Sequence, residues 1–184
     1  MKKQTIVIIA LCLCLTLMLA ACSATAEDRI SQLQSATSAK TITSEITVTD
    51  GGVQVYSRQK VATIDGEEAT VQVTVTELGD NFEITTETDD YDSTKQVETA
   101  LPVNLTAQNV QLTVLTENGA EFLVLQQNAA EAIKANGFGV AGDVTVKCTY
   151  SGKTLTNISF EYVTDGQLSV SVSYAFGYEG GNND

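Results

Sequence analysis

Among the side chains able to do chemistry, this 184-residue chain has four cysteines and 23 carboxylates, but it has no histidine and no tryptophan. Without imidazole there is no Ser-His or Cys-His nucleophile and no histidine metal site. Cys148 would serve as a nucleophile or redox thiol if it were exposed beside positive charge. Its place in the alternating run Val144, Val146, Cys148, Tyr150 instead predicts an inward position, the ordinary setting of a small buried cysteine. Glu87, Asp89, Asp90 and Asp92 suggest weak calcium binding. The loop pattern that holds calcium wants glycine at its sixth position and glutamate at its twelfth. Both are missing, so the segment reads as a solvated acidic turn. Paired carboxylates for glycoside hydrolysis are available by number. Nearly all fall in turns or on outward strand positions, where nothing sets one carboxyl apart from its neighbour, and the usual tryptophan platform is absent. No Gly-rich phosphate loop or nucleophile elbow occurs. The expectation is a non-enzyme with no catalytic residues, no cofactor and no metal. A formal charge of −13 repels phosphate backbones and argues against nucleic acid as a partner.

Chemistry with a defined place is expected at Cys22. Lys2 and Lys3 precede an uncharged apolar run from Thr5 to Ala21. A membrane span needs about 20 apolar residues, and this shorter run fits an export signal. Leu19-Ala20-Ala21-Cys22 then resembles the bacterial lipobox. The resemblance implies cleavage after Ala21 and diacylglycerol attachment to the Cys22 sulfur. It also implies an extracytoplasmic protein held by its lipid to the cell membrane, or to the outer membrane where the envelope has two, since Ser23 is not the retention aspartate. Two acyl chains anchor stably where one does not. The alternatives are an ordinary signal peptide or an uncleaved anchor. The expected organisation is a removed signal over 1–21, a lipidated tether over 22–25, one domain over 26–178 and a disordered tail over 179–184. Cleavage removes two lysines and no acid, moving the formal charge from −13 to −15, and it removes Cys12 and Cys14. Cys148 is then the single free thiol, and the domain must be held by its core rather than by disulfides.

The elements that position these groups are mostly strands. Threonine and valine recur with period two between turn signals. Ile42, Ile46 and Val48 share a face, and Val71, Val73 and Val75 share another such face. Later come Val110, Leu112 and Val114, then Phe122 to Leu125, read as a buried strand or as part of a helix. Ile158, Phe160 and Tyr162 follow, and then Leu168, Val170, Val172, Tyr174 and Phe176. Asp50-Gly51-Gly52, Asp65-Gly66, Ser151-Gly152 and Asp165-Gly166 mark turns, and Asn118-Gly119 predicts a type I′ hairpin. Thr25-Ala26-Glu27-Asp28 predicts a capped helix ending near Ala36. Asn128 to Asn136-Gly137 predicts a second, short one. A short edge strand is expected around Lys95–Val103, with Pro102 suited to an edge, or else a mobile flap. The fold class is mainly β (α+β): a curved antiparallel sheet or half-barrel meander with an N-terminal helix and a second short helix.

These strands present more large apolar side chains than two small helices can cover. The sheet must pack on itself or leave an apolar cavity. A helix directly after the anchor, then antiparallel strands, a short helix and three closing strands resembles the LolA/LppX type of lipoprotein carrier. Val144 to Lys153, Leu155 to Tyr162 and Leu168 to Tyr174 carry most of this likeness. It implies that an apolar small molecule or lipid binds on the concave face. Val146, Tyr150, Phe160, Tyr162, Val172 and Tyr174 are the candidate ligand-facing residues, with a filled core as the alternative. The competing function is a structural or protein-interaction module that binds at an exposed sheet edge.

Overall fold

The computed structural model describes residues 25–79, 81–135 and 139–179. The expected signal, Cys22 and the last five tail residues lie outside them. Nine strands form one antiparallel sheet: β1 (Thr41–Asp50), β2 (Val53–Asp65), β3 (Glu68–Leu78), β4 (Ile84–Thr94), β5 (Val110–Thr116), β6 (Gly119–Val124), β7 (Val144–Ser151), β8 (Thr154–Val163) and β9 (Ser169–Gly177). Their spatial order is β4-β3-β2-β1-β9-β8-β7-β6-β5. The chain meanders outward from β1 to the β4 edge, crosses to the opposite edge, and meanders back until β9 pairs with β1. The expected curved antiparallel sheet with helices is the observed class.

Period-two alternation explains the register. Ser44 of β1 stands opposite Lys60 of β2 and Tyr174 of β9, and Tyr174 stands opposite Ile158 of β8. Ile158 faces Cys148 of β7, which faces Ala120 of β6. This row and its neighbours form the inner face, while Thr, Ser, Gln and Glu make up most of the outer one, with exceptions such as Val61, Leu112 and Val114. Register shifts between Val48 and Thr49, between Thr149 and Tyr150, and between Val110 and Leu112 are bulges, which bend and twist a sheet.

The inner face is covered by short pieces. Helix α1 (Ala26–Gln32) begins at a complete capping box: Thr25 Oγ1 accepts from the Asp28 N–H, and Asp28 accepts from the Thr25 N–H. It tightens into a 3₁₀ turn over Leu33–Ser38 that buries Leu33 and Ala36. One helical turn, α2 (Lys95–Glu98), packs under β2, β3 and β4. The segment 99–109 then crosses the inner face with Val103 and Leu105 buried. Helix α3 (Gln126–Ala132) buries Ala129 and Ala132, and its Ala132 carbonyl accepts from the Asn104 N–H at 2.7 Å.

Several local expectations change. The acidic run is strand, not turn: β4 reaches Thr94 and pairs with β3 throughout, because an edge strand keeps its charges in water on both faces. The strand expected over Lys95–Val103 is α2 plus the crossing segment. The type I′ turn at Asn118-Gly119 is displaced: Thr116 pairs with Gly119, so Glu117 and Asn118 form the turn, with no positive φ at either. Glycine is needed at 119 for space, since a Cβ there would sit 2.9 Å from the Cys148 carbonyl oxygen. Phe122 lies in strand β6, which settles the strand-or-helix choice.

Candidate functional site

The inner-face aromatic set is held mostly inside the domain. Val146, Tyr150, Phe160 and Val172 are buried members of the core, while Tyr162 and Tyr174 are half-buried against it. Tyr150 shows what fills the space. Its hydroxyl donates to the Arg29 carbonyl at 2.9 Å, and the Arg29 guanidinium lies 4.7 Å from its ring centroid. Arg29 also donates from Nη1 to Gln32 Oε1 at 2.9 Å and to the Gly152 carbonyl at 3.2 Å. Its Nε has no hydrogen-bond partner among the described residues. Buried hydrogen bonds of this kind contribute about 1 kcal/mol each, and a desolvated cation–π contact contributes ~2 kcal/mol. Arg29 therefore acts as a staple between α1 and the turn that joins β7 to β8. Burial, and after it the adjacent Cys148, hold the Tyr150 phenol protonated well above its usual range. Burial also raises Tyr162.

Cys148 is the free thiol among the described residues, and it is buried. Burial pushes its pKa up to about 12, so the sulfur is protonated at neutral pH and has little nucleophilic character. The acidic run does not converge on a point. Strand alternation places Glu87 and Asp89 on the inner face, opposite Val75 and Val73, and sends Asp90 and Asp92 outward. Among the described residues no group of three or more potential metal ligands is close enough to hold an ion.

Two grooves differ in what they could bind. One of about 340 Å³ lies on the inner side of the β3–β4 edge, floored by Val73 and Val75 and rimmed by Glu77, Thr85, Glu87 and Asp89. A larger one of about 470 Å³ is lined by Thr47, Thr49, Ala141, Gly142, Asp143, Glu161 and others at the opposite end of β1, β8 and β9 from the Gly152 turn. Of the candidate ligand-facing residues, Tyr162 lines the larger groove, while Val146, Tyr150, Phe160, Val172 and Tyr174 line neither.

Among the described residues the two sheet edges, β4 and β5, differ in chemistry. β4 carries Glu87, Asp89, Asp90 and Asp92, all exposed. β5 reads Val-Gln-Leu-Thr-Val-Leu-Thr and holds no charge. Leu112, Val114 and Leu115 are 55%, 48% and 42% exposed. Natural edges are commonly blunted by charge. β4 is blunted and β5 is not. The sequence could not mark Val110–Thr116 as an edge, because edge position follows from strand order; the contrast in charge between the two segments was its visible trace.

No family model matches the chain, and no curated protein matches it. Solved structures similar to it include a redesigned beta barrel, mFAP1, bound to DFHBI. That likeness has 8% identity and a TM-score of 0.22, over 77% of this chain and 96% of that one. Another is the dehydratase domain from the CurK module of curacin polyketide synthase, with 8% identity and a TM-score of 0.24, over 76% of this chain and 74% of that one. Among the described residues no helix is long and apolar enough to cross a membrane.

Proposed function

We propose that the protein is a lipid-anchored, extracytoplasmic and non-catalytic binding module of a bacterial envelope, which takes up a protein strand along the β5 edge. One observation carries this reading: β5 is an uncharged edge strand with three exposed aliphatic side chains, in a chain whose other edge is lined by acids. An added strand satisfies the free main-chain groups of such an edge, and its alternate side chains cover the apolar ones. The lipobox resemblance at Leu19–Cys22 supports the anchor.

The site is tested with a photo-cross-linking side chain at Val114 in living cells, and with the same group at Thr88 of β4 as control. A cross-linked peptide joining β5 to a strand segment of defined sequence is expected at 114 only. Absence of any adduct at 114 would reject the edge. For the anchor, Cys22→Ser is expected to abolish palmitate labelling; persistent label rejects lipidation.

A second reading, an apolar ligand on the inner face, is favoured by the apolar floor of the β3–β4 groove. Native mass spectrometry of the protein purified from bacteria separates the two. Co-purifying lipid supports a carrier, and a ligand-free chain supports the edge.

A further inference from the structure

We infer that the strand taken up at β5 is the β5 of a second copy of this chain, paired antiparallel about Thr113; this rests on strand uptake at that edge and names the partner.

Charge selects the partner. With an excess of thirteen acids over bases in the chain, two copies repel wherever acid meets acid. A basic partner would be drawn to the acids of β4. β5 is neutral over its whole length. Next to it on the outer face, Glu121 of β6 is matched by Lys147 of β7 at 3.9 Å. This strip lets two acidic molecules approach without bringing like charges together.

Symmetry selects the register. In an antiparallel pair, directly opposite residues share a face. Leu112 stands opposite Leu123, and Val114 opposite Glu121, on the outer face. A two-fold axis at Thr113 sets each Leu112 opposite the other copy's Val114, so the four exposed aliphatic side chains of the outer face cover one another. An axis at Val114 would put Leu112 opposite Thr116. An axis at Leu112 would oppose Val114 to Val110, which lies beyond the bulge and pairs with the inner-face Val124. Such a contact is isologous and closes at two copies. The acids of β4 oppose further growth from the outer edges.

The test uses the full-length chain in its own membrane. Leu112→Cys and Val114→Cys are made in separately tagged copies, expressed alone or together, and then oxidised. Facing residues across the pair have Cα atoms about 5 Å apart, within disulfide range. Identical positions are displaced by two residues along the strands and lie roughly 8 Å apart, outside it. Both side chains are largely exposed, so neither change threatens folding. A disulfide-linked band at twice the chain mass is expected from co-expression and not from either variant alone. Equal bands from the single variants overturn the register. If β5 cross-links only to a different protein, the second-copy inference fails while strand uptake stands. If β5 yields no adduct of any kind, both fail.

Discussion

Cys148 shows how one position decides between chemistry and packing. Its thiol lies in the inner-face row with Ile158 and Ala120, and burial raises its pKa from 9.0 to about 12. Between those values the unfolded chain releases the proton and the folded chain keeps it. The stability this group contributes is therefore complete below pH 9 and is lost as pH rises toward 12. Cys148→Ala is expected to flatten the fall of melting temperature with pH across that window. A variant with the parent's alkaline slope would show that the thiol is not the titrating group. Alternation over Val144–Tyr150 made the inward position of Cys148 legible, because burial follows directly from period two. The partners of Arg29 were not legible: a charged residue in the first helix gives no sign that it will meet a tyrosine far along the chain.

At the scale of elements, the crossing from β4 to β5 starts from a buried polar contact. Its first turn, α2, is clipped to the sheet by a buried ion pair. Lys60 Nζ donates to Glu98 Oε2 at 2.7 Å, Ser93 Oγ donates to Glu98 Oε1 at 2.8 Å, and the Glu98 side chain is 1% exposed. Removing one partner of such a pair strands the other charge, at a cost of about 3 kcal/mol or more. Lys60→Met is expected to lower the urea midpoint accordingly. Lys60→Met combined with Glu98→Leu should recover most of the loss, since two apolar groups leave no buried charge unpaired and only the partly exposed Ser93 hydroxyl loses its acceptor. A double variant no more stable than the single one would show that the clip does not hold the crossing. Period-two patterning located β1, β3, β7, β8 and β9 well. It failed over 84–109, where the acids of β4 resemble a loop and where the crossing is fixed by Val103 and Leu105 finding the core and by Asn104 pairing with α3. Those are tertiary events with no local period.

For the whole molecule, the fold leaves charge repulsion largely unbalanced. The chain has 23 acids against 10 bases, and few described ion pairs offset them. Self-repulsion weakens a compact state. Raising ionic strength from 0.01 to 0.15 M shortens the screening length from ~30 to ~8 Å. The melting temperature should then rise by roughly 2–4 °C, the shift that about 1 kcal/mol gives in a domain of this size. A melting temperature that falls with salt would mean that attractive pairs outweigh the repulsion. The acidity itself was plain from composition. Its uneven placement, heavy on β4 and absent from β5, became meaningful only when strand order made both of them edges.

The position of β1 has a mechanical consequence. The chain enters the sheet at an interior strand, and Thr41 is paired with Gly177 at the end of β9. Tension arriving through a membrane tether would thus be delivered to a strand bonded on both sides, not to a rim that peels. Before reaching it, the load must strip α1 and its 3₁₀ extension from the sheet. That means breaking the Arg29 contacts, the Tyr150 hydroxyl bond and the bond from the Leu155 N–H to Ser35 Oγ at 2.9 Å. Under a load applied at its N-terminal end, the leading helix would yield as a sacrificial spring before the nine-stranded sheet and its β5 edge.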